Sequence, residues 1–279
     1  MSPTSNADQV EYWNGAAGQR WADKFSDTDR GLARIGAALL AFAGARPGEQ
    51  VLDIGCGAGA STLELARKVK PKGTVTGIDI SAPMLAVASR RAMENGEHIE
   101  FIKADATVHP FTPSYDLLFS RFGVMFFADP VATFANLKRA LRQGGRFAFV
   151  CWRAFPENLW AYVPYKAAEP LLPPQEPSDP HAPGPFAFAD AERVKSILTH
   201  AGFGNVTIET LDTTMNLGPT VEHAAKETLV FGPLSRAATD LPEDLRDRIK
   251  KVVEQRLQEF AGAEGVTPPA ACWLVAARV

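Results

Sequence analysis

The sequence predicts an α/β fold in which a largely parallel sheet carries helices on both faces. Short β-like runs alternate with segments of helical periodicity through the first half of the chain, which is the pattern of parallel strands joined by crossover helices. The chain has 279 residues, of which 46% are hydrophobic, so it can bury a sizeable core. Its 3 cysteines are too widely spaced for a disulfide framework or a zinc site, which favours a cytoplasmic setting and predicts no metal.

The predicted elements follow one another from the first apolar stretch. Residues 35–45 predict a core helix, since this run is too short to span a bilayer. Candidate strands follow at residues 50–54, 74–80, 99–104, 115–120 and 146–152. Helical periodicity fills the gaps between them at residues 61–69, 83–94 and 130–141. Gly144 and Gly145 are interpreted as the stop of the last of these helices.

The second half of the chain predicts further elements of the same domain. Residues 156–185 are rich in proline but interleaved with aromatic side chains, which is too apolar for a linker and indicates an ordered excursion over the carboxyl edge of the sheet. Beyond it we expect a helix at 189–200, a sixth strand at 206–211, a helical region at 220–260 and a final strand at 271–279. We therefore predict a single domain over residues 1–279.

A glycine-rich turn after the first strand carries the strongest functional signal. The run VLDIGCGAGA places Gly55, Gly57 and Gly59 between an apolar strand and the start of a helix. We expect the first glycine to let the chain leave the strand sharply, the second to let a ligand approach the backbone, and the third to let the helix pack closely. The N–H groups at such a helix start favour a negative or electron-rich ligand group.

Acidic residues accompany this turn at the ends of the neighbouring strands. Asp79 closes the second strand, where it can accept both hydroxyl hydrogens of a ribose. Asp105 ends the third strand and can accept an exocyclic amino hydrogen from adenine. Asp53 precedes Gly55, where a carboxylate would repel a pyrophosphate but can accept a hydrogen bond from an ammonium. Together these residues describe an adenosine pocket, although each carboxylate taken alone could brace a loop, cap a helix or form an Asx-turn.

A series of motifs over residues 48–153 resembles a known family. In order, the runs are VLDIGCGAGAST, TGIDIS, KADAT, YDLLFSRFGVMFF and LKRALRQGGRFAFVCW. The series resembles the class I S-adenosylmethionine-dependent methyltransferases, in particular the branch that includes the ubiquinone and menaquinone C-methyltransferases. The resemblance implies a Rossmann-like three-layer sandwich with a seven-stranded sheet of order 3-2-1-4-5-7-6, whose last strand is antiparallel. The chain ending ACWLVAARV fits that strand.

The resemblance also implies S-adenosylmethionine as the cofactor. Ile80 and Met84 would flank its adenine, and Ser120 and Arg121 would border its sulfonium and the acceptor. Cys56 would contribute backbone and small size, so we do not interpret it as a nucleophile. The residues assigned to cofactor binding are Trp13, Asp53, Gly55, Cys56, Gly57, Gly59, Asp79, Ile80, Met84, Asp105, Ala106, Ser120 and Arg121.

The residues after the fourth predicted strand restrict the methyl acceptor. Amino-directed methyltransferases commonly carry an Asn/Asp-Pro-Pro-Tyr sequence there, whereas this chain has Ser120-Arg121-Phe122-Gly123. We therefore predict transfer to oxygen or carbon of a small apolar metabolite. A hydroxyl acceptor would gain from a general base, whereas a carbon acceptor needs mainly positioning. The candidate bases are His109, Glu157, Tyr162, His181 and His223, each of which also has an ordinary structural or surface interpretation.

Charge and composition restrict the partners. With 29 Lys+Arg against 32 Asp+Glu, the net charge of -3 disfavours nucleic acid, and no segment is long enough to span a membrane. The expected partner is a small-molecule methyl acceptor, and the oligomeric state is not predicted. We expect residues 1–47 to form a helical lid and residues 154–188 and 215–265 to cover the substrate. Two alternatives stay open: an NAD(P)-dependent oxidoreductase that uses the same turn, and a catalytically silent S-adenosylmethionine-binding module.

Overall fold

The computed structural model of the chain describes residues 6–174 and 179–279, and a seven-stranded sheet forms its centre. The strands of this sheet are β1 Gln50–Ile54, β2 Thr74–Asp79, β3 Glu100–Lys103, β4 Tyr115–Arg121, β5 Leu141–Trp152, β6 Gly204–Thr214 and β9 Pro269–Arg278. A separate two-stranded hairpin consists of β7 Ala261–Gly262 and β8 Gly265–Val266. The order in the main sheet is β3-β2-β1-β4-β5-β9-β6.

Strand direction agrees with the fold that the sequence implies. The first five strands run parallel to one another. β9 lies between β5 and β6 and runs antiparallel to both. Because the small hairpin takes two strand numbers, β9 is the seventh strand of the main sheet. The predicted order 3-2-1-4-5-7-6 with an antiparallel last strand is therefore confirmed.

Helices cover the sheet on both faces and extend over its carboxyl edge. They are α1 Ala7–Asn14, α2 Ala16–Asp23, α3 Phe25–Ala43, α4 Ala60–Val69, α5 Ala82–Glu94, α6 Pro130–Lys138, α7 Leu159–Ala168, α8 Ala191–His200, α9 Val221–Thr228, α10 Pro233–Ala237 and α11 Glu243–Leu257. Within residues 6–174 and 179–279, none of them combines the length and apolar character that crossing a bilayer requires.

Local sequence explains where several helices begin. Ser81, Asp129 and Asp190 cap α5, α6 and α8 by accepting hydrogen bonds from backbone N–H groups of the first turn. Pro83 and Pro130 occupy the first turns of α5 and α6, where the missing N–H has no helical partner to lose. These caps fix the points at which the chain leaves β2 and the segment after β4.

The hydrophobic core lies on both faces of the sheet. Leu52, Ile54 and Phe119 on the central strands are completely or almost completely buried, as expected for parallel strands covered on both sides. Ile35 and Leu39 of α3 are equally buried and pack in the same cluster. The core helix predicted at 35–45 therefore corresponds to the carboxyl-terminal half of α3, which ends at Ala43.

One helix boundary predicted from the sequence is wrong. The helix expected at 130–141 ends at Lys138, and Gly144 and Gly145 lie inside β5 and do not stop a helix. The reason is that the start of β5 pairs with the start of β4 before the register shifts, so the strand begins earlier than its apolar run indicates.

The later elements also differ in extent from the prediction. The strand expected at 206–211 is longer because β6 pairs with β9 over most of its length. The helical region expected at 220–260 divides into α9, α10 and α11, since Pro233 begins α10 and Pro242 precedes α11. The proline-rich segment at 156–185 contains α7. Residues 175–178 of that segment and residues 1–5 of the predicted lid lie outside the described residues.

Candidate functional site

A cavity of about 410 Å³ lies at the carboxyl ends of β1, β2 and β4. In open parallel sheets, ligands bind at this edge, where the strand order reverses. The strand ends contribute Gly55, Asp79 and Arg121 to the wall. The first three helices and residues 215–239 contribute most of the remainder. The fold therefore brings the glycine-rich turn together with two parts of the chain that carry no sequence motif.

The glycine-rich turn has a backbone conformation that side chains disfavour. Gly55 and Gly57 have φ values of 65° and 54°, in the left-handed region. The N–H groups of Gly55 and Cys56 donate to the carbonyl of Ile78 at 2.9 and 3.2 Å, which ties the turn to the end of β2. A Cβ atom on Gly57 would lie only 3.0 Å from Cε of Met84. The turn therefore presents backbone, without side chains, to the cavity.

Asp79 joins the turn to the start of α5. Its Oδ2 accepts a hydrogen bond from the N–H of Gly57 at 2.8 Å, and its Oδ1 accepts one from the N–H of Ser81 at 2.8 Å. Burial raises the pKa of Asp79, and these backbone hydrogen bonds oppose the rise. A carboxylate oxygen has more than one lone pair, so Asp79 can brace the loop and still accept hydrogens from a ligand. Asp79 therefore braces the turn and the start of α5 and is still available to bind the hydroxyl groups of a ribose.

Asp105 has a partner that the sequence did not reveal. The Nδ2 of Asn6 donates to both carboxylate oxygens of Asp105 at 3.1 Å, and the N–H of Thr107 donates to Oδ1 at 2.9 Å. The Oδ1 of Asn6 is buried and has no hydrogen-bond partner within the described residues. Asn6 and Asp105 both line the cavity. An amino group of a ligand could therefore donate to Asn6 Oδ1 at this end.

Asp53 lies buried directly beneath the turn. Its Oδ2 accepts hydrogen bonds from the hydroxyls of Ser61 and Thr62 at 2.8 and 2.7 Å. Its Oδ1 has no partner within the part of the chain that the structure describes. Burial raises the pKa of Asp53 to about 6, against the lowering effect of the two hydroxyls. Such an unsatisfied carboxylate oxygen fits a ligand ammonium, reached directly or through water.

Most residues assigned to the cofactor from the sequence meet at this cavity. Those on its wall are Trp13, Gly55, Cys56, Gly57, Asp79, Ile80, Met84, Asp105, Ala106 and Arg121. Three residues of the same assignment do not line it: Asp53, Gly59 and Ser120. Asp53 supports the turn from below, as described above, and the other two have packing roles.

Gly59 and Ser120 hold neighbouring elements together. A Cβ on Gly59 would lie 3.0 Å from Cβ of Ala88, so this glycine allows the start of α4 to approach α5. The hydroxyl of Ser120 donates to the carbonyl of Ile54 at 2.7 Å and accepts from the N–H of Gly123 at 3.2 Å. Their assignment to direct cofactor contact is corrected accordingly, because both face other parts of the protein.

Cys56 lines the cavity but has no features of a reactive thiol. Burial, with help from the carboxylates of Asp79 and Asp53, raises the pKa of this thiol well above its ordinary value. A Cβ on Gly77 would lie 2.8 Å from Sγ of Cys56, so the sulfur packs against β2. The geometry agrees with a small residue that contributes its backbone.

None of the five candidate bases, all of which are among the described residues, lies on the cavity wall. They are His109, Glu157, Tyr162, His181 and His223. Glu157 forms an ion pair with Arg153 and accepts the N–H of Ala154 at 3.0 Å. The ring of Tyr162 packs edge-on against Phe155, with centroids 5.4 Å apart. These two side chains are therefore engaged in holding the start of α7.

The three histidines differ in their surroundings. His109 packs edge-on against Phe111 with ring centroids 4.7 Å apart, and His181 is exposed. His223 lies behind the wall, where its Nε2 is 3.7 Å from Oδ1 of Asp27. The structure thus brings none of the three histidines to the cavity wall itself.

A charged cluster faces the cavity where the start of α3 meets α9. Lys24 Nζ donates to Oε1 of Glu227 at 2.8 Å, and Arg30 Nη2 donates to Oδ1 of Asp27 at 2.7 Å. Glu227 is only 6% exposed, and its Oε2 has no partner in the described structure. The sequence did not identify this cluster, because charges at helical spacing are typical of a solvated face.

A second bridge fixes α3 above the turn. Asp29 lies 2.7 Å from Nη2 of Arg91 on α5 and 3.4 Å from Nη2 of Arg121 at the end of β4. Arg91 Nη1 also donates to the carbonyl of Ala58 in the turn at 2.7 Å. Asp29 and Arg121 both line the cavity. One carboxylate of the N-terminal region thus connects the turn, α5 and β4.

Aromatic side chains close the cavity from the N-terminal side. Trp13 packs edge-on against Phe126, with centroids 5.5 Å apart, and against Trp21 at 5.8 Å. Trp21 in turn packs against Phe231 at 4.8 Å. The carbonyl of Trp13 accepts the hydroxyl hydrogen of Ser81 at 2.7 Å. The first two helices are therefore attached to both the sheet edge and the α9–α10 connection.

A further aromatic group forms the wall beyond β4. The ring of Phe122 stacks on Trp152 with centroids 4.1 Å apart, and Trp152 contacts Trp160 at 4.8 Å. Phe122 has a φ of 65°, which is unfavourable for a residue with a bulky side chain. Strained backbone of this kind concentrates at functional sites. These rings give the cavity an apolar, flat surface.

Comparison with known proteins gives matches to methyltransferases. Residues 51–145 match a family described as "Methyltransferase domain". Aklanonic acid methyltransferase DauC of Streptomyces sp. (strain C5) is 36% identical over 141 residues, which are 50% of this chain and 63% of that protein. The ubiquinone/menaquinone biosynthesis C-methyltransferase UbiE of Bdellovibrio bacteriovorus is 37% identical over 109 residues, which are 39% of this chain and 46% of that protein. The matched regions thus span less than two thirds of these relatives.

A solved structure shares the fold along the whole chain. The complex of Haemonchus contortus phosphoethanolamine N-methyltransferase 2 with phosphomonomethylethanolamine and S-adenosylhomocysteine has a TM-score of 0.60 at 18% identity. The match covers 99% of this chain and 60% of that one. At this identity the likeness concerns the fold. Together with the family match and the relatives, it confirms the resemblance to class I S-adenosylmethionine-dependent methyltransferases.

Proposed function

We propose that this chain, which carries a methyltransferase domain at residues 51–145, transfers a methyl group from S-adenosylmethionine to oxygen or carbon of a small apolar metabolite. The observation that carries the proposal is the position of Asp79. It accepts hydrogen bonds from Gly57 and Ser81 while it lines the cavity beside a turn without side chains. A carboxylate so placed beside bare backbone is suited to the ribose of a nucleoside.

The residues around the turn fit the rest of this cofactor. S-adenosylmethionine supplies a methyl group on a positively charged sulfur, which makes that carbon electrophilic. Asp53 offers its unsatisfied Oδ1 to an ammonium, directly or through water. Asp105 and Asn6 offer acceptor oxygens to an adenine amino group, and Met84 also lies on the cavity wall. The protein thereby holds both ends of the molecule and leaves its sulfur between them.

The main task of the protein is to exclude water and to orient the acceptor. Trp13 and Trp21 cover the cavity through their contacts with Phe126 and Phe231, which supports a lid role for the N-terminal helices. A nucleophile held in line with the breaking bond gains mainly from positioning. Closure by aromatic side chains keeps solvent from competing with the acceptor. We accordingly propose that residues 6–47 act as a lid and that residues 215–239 cover the acceptor.

The acceptor is proposed to be a flat organic molecule. Phe122, Trp152 and Trp160 form an apolar surface of the kind that lines small-molecule sites. The absence of an Asn/Asp-Pro-Pro-Tyr sequence after β4 favours oxygen or carbon over an amine. The two relatives are named for aklanonic acid and for ubiquinone and menaquinone biosynthesis, which supports the same choice.

The alternative oxidoreductase is disfavoured by the charge beneath the turn. Asp53 lies under the backbone that a dinucleotide would use for its pyrophosphate, and its unsatisfied oxygen would repel that group. The silent binding module remains an outcome of the experiment below. The cytoplasmic setting and the absence of nucleic-acid binding stay predictions. Cys56, Cys151 and Cys272 are free and buried, which supports a reducing compartment.

The proposal is tested by calorimetric titration with S-adenosylhomocysteine and by transfer of a labelled methyl group to a panel of phenols, quinols and carboxylic acids. We expect Asp79→Ala to weaken binding about tenfold or more, because hydrogen bonds to a charged acceptor are lost. Asp247→Ala, which removes an exposed carboxylate of α11, is the control and should bind like the native protein. Unchanged binding in Asp79→Ala would contradict the site. Binding without transfer to any acceptor would favour the silent module.

A further inference from the structure

Glu227 of α9 is buried on the cavity wall with half of its carboxylate unsatisfied. Its Oε1 accepts a hydrogen bond from Lys24 Nζ at 2.8 Å. Its Oε2 has no hydrogen-bond partner within the described residues, although the side chain is only 7% exposed. Buried carboxylate oxygens are normally satisfied, since leaving one unpaired is costly. The geometry therefore points to a ligand group that donates a hydrogen bond to Oε2.

The charges around Glu227 favour a neutral donor. Lys24 balances Glu227, and Arg30 balances Asp27, so the cluster carries no net charge when His223 is neutral. Ligand atoms of Asp27, His223 and Glu227 lie within 4.8 Å of one another, a spacing that could suit a metal ion. However, Lys24 and Arg30 already take the positions of cations against both carboxylates. A further cation would leave uncompensated positive charge, whereas a hydroxyl would not.

Two aromatic side chains line the cavity together with Glu227. The N–H of Phe231 donates to the carbonyl of Glu227 at 2.9 Å, so the ring follows one turn after the carboxylate. Phe231 contacts Trp21 edge-on at 4.8 Å, and both line the cavity. The same cavity wall therefore carries both aromatic surface and a buried carboxylate. This combination suits a flat aromatic molecule with a hydroxyl group at its edge.

We propose that Glu227 determines acceptor specificity by accepting a hydrogen bond from a phenolic or enolic hydroxyl of a flat aromatic acceptor. This inference rests on the proposed function and adds the substrate class. Lys24 holds the carboxylate through Oε1 and leaves Oε2 without a hydrogen-bond partner among the described residues. A site built to pair with a hydroxyl discriminates against an analogue that lacks it, because the buried oxygen is then left unpaired.

The test compares a dihydroxyanthraquinone with the parent anthraquinone, each titrated into protein saturated with S-adenosylhomocysteine. We expect the native protein to bind the hydroxylated compound about tenfold or more tightly than the parent. Glu227→Met should lose that preference, whereas the matched control Glu222→Met, at an exposed position of the same helix, should keep it. Equal affinities in the native protein, failure of both compounds to bind, or a retained preference in Glu227→Met would overturn the proposal.

A double variant, a test with magnesium and the affinity for S-adenosylhomocysteine complete the experiment. Lys24→Met/Glu227→Met replaces the whole ion pair by apolar side chains, a change that buried pairs often tolerate, and should lose the same preference. If the preference for the hydroxylated compound required added magnesium and disappeared with a chelator, the proposed hydroxyl hydrogen bond to Glu227 would be wrong and a metal site would be favoured. Affinity for S-adenosylhomocysteine distinguishes failure of the proposed function from failure of the Glu227 inference. If the native protein does not bind S-adenosylhomocysteine, the proposed function is wrong. If it binds S-adenosylhomocysteine but shows no preference for the hydroxylated compound, only the role of Glu227 is wrong.

Discussion

Gly55 and Gly123 approach each other so closely at the ends of β1 and β4 that a Cβ on Gly55 would lie 2.8 Å from Cα of Gly123. A Cβ on Gly123 would lie 2.8 Å from the carbonyl oxygen of Ile54 and 2.9 Å from Oγ of Ser120. The turn that presents its backbone to the cavity therefore rests directly on the segment after β4. Its position depends on the absence of a side chain at both residues.

The first prediction concerns Gly123→Ala. Because the new methyl group would meet backbone and a buried hydroxyl, the turn must shift, and we expect a loss of about 1–3 kcal/mol in the free energy of unfolding. The displaced backbone of the turn, which lines the cavity, should also weaken binding of S-adenosylhomocysteine several-fold. Urea unfolding and calorimetric titration measure the two effects. Gly262→Ala is the control, since a Cβ there meets nothing within 4 Å.

A result in which Gly123→Ala and Gly262→Ala behave alike would show that the contact between the turn and β4 has no energetic importance. Loss of stability with unchanged binding would mean that the turn does not hold the cofactor. Only the combined loss supports the role proposed for this contact.

Much of the fold could be predicted from the sequence because short segments of the chain mark where strands and helices begin and end. The apolar runs, the caps of α5 and α6 and the glycine-rich turn all lie within short segments. Where the prediction was wrong, pairing between distant segments decided the outcome. The early start of β5 depends on β4, and the full length of β6 depends on β9. Pairing between strands cannot be recognised from the apolar periodicity of a single segment.

The candidate site also contains residues that could be predicted from the sequence and residues that could not. Asp79 was predictable, because it follows a strand that the chain places beside the turn. Asn6 was not, since its partner Asp105 lies far along the chain and an asparagine near a helix start has an ordinary capping role. Glu227 was missed because its helix has the charge pattern of an exposed face. Only the packing of α9 against the start of α3 buries that carboxylate.

The second prediction concerns the pH dependence of stability through Asp53. Burial raises its pKa in the folded protein from 3.8 to about 6, so the folded state holds the proton more tightly than the unfolded chain. The stability from this proton is fully present below about pH 4 and is lost as pH rises through about 6. Asp53→Asn stays neutral, so its unfolding free energy relative to the native protein should rise over that window, by on the order of 3 kcal/mol. Urea unfolding across the pH range measures it.

Parallel pH profiles for the native protein and Asp53→Asn would contradict this account. Asp79, whose carboxylate adds to the raised pKa of Asp53, is present in both proteins. Ionisation of Asp53, which lowers stability, should strengthen ligand binding. Because a ligand ammonium pairs with the ionised carboxylate, affinity of the native protein for S-adenosylhomocysteine should fall as pH drops below about 6. Asp53→Asn should bind weakly at every pH.

The third prediction concerns the bridge made by Asp29. Asp29→Ala leaves the guanidinium groups of Arg91 and Arg121 without their shared carboxylate, at side-chain exposures of 18% and 15%. We expect a loss of about 1–3 kcal/mol in unfolding free energy, since removing one partner of a largely buried pair strands the other charge. Chemical denaturation measures this loss. Asp23→Ala, at the exposed end of α2, should be nearly neutral, and equal losses in both variants would contradict the bridging role.

The fourth prediction concerns the lid and uses Trp13→Ala. Trp13 joins Trp21 and Phe126 over the cavity, so its removal should destabilise the closed position of the first two helices. A lid affects mainly how long a ligand stays bound, so we expect the dissociation rate of S-adenosylhomocysteine to rise severalfold or more, with a smaller change in the association rate. Stopped-flow displacement measures both rates, and hydrogen exchange should show protection of residues 6–23 by the ligand only in the native protein. Trp273→Phe, which alters a tryptophan outside the cavity on β9, is the matched control. If Trp13→Ala left the dissociation rate unchanged while it lowered thermal stability, the N-terminal aromatics would serve only to attach the helices to the body of the protein.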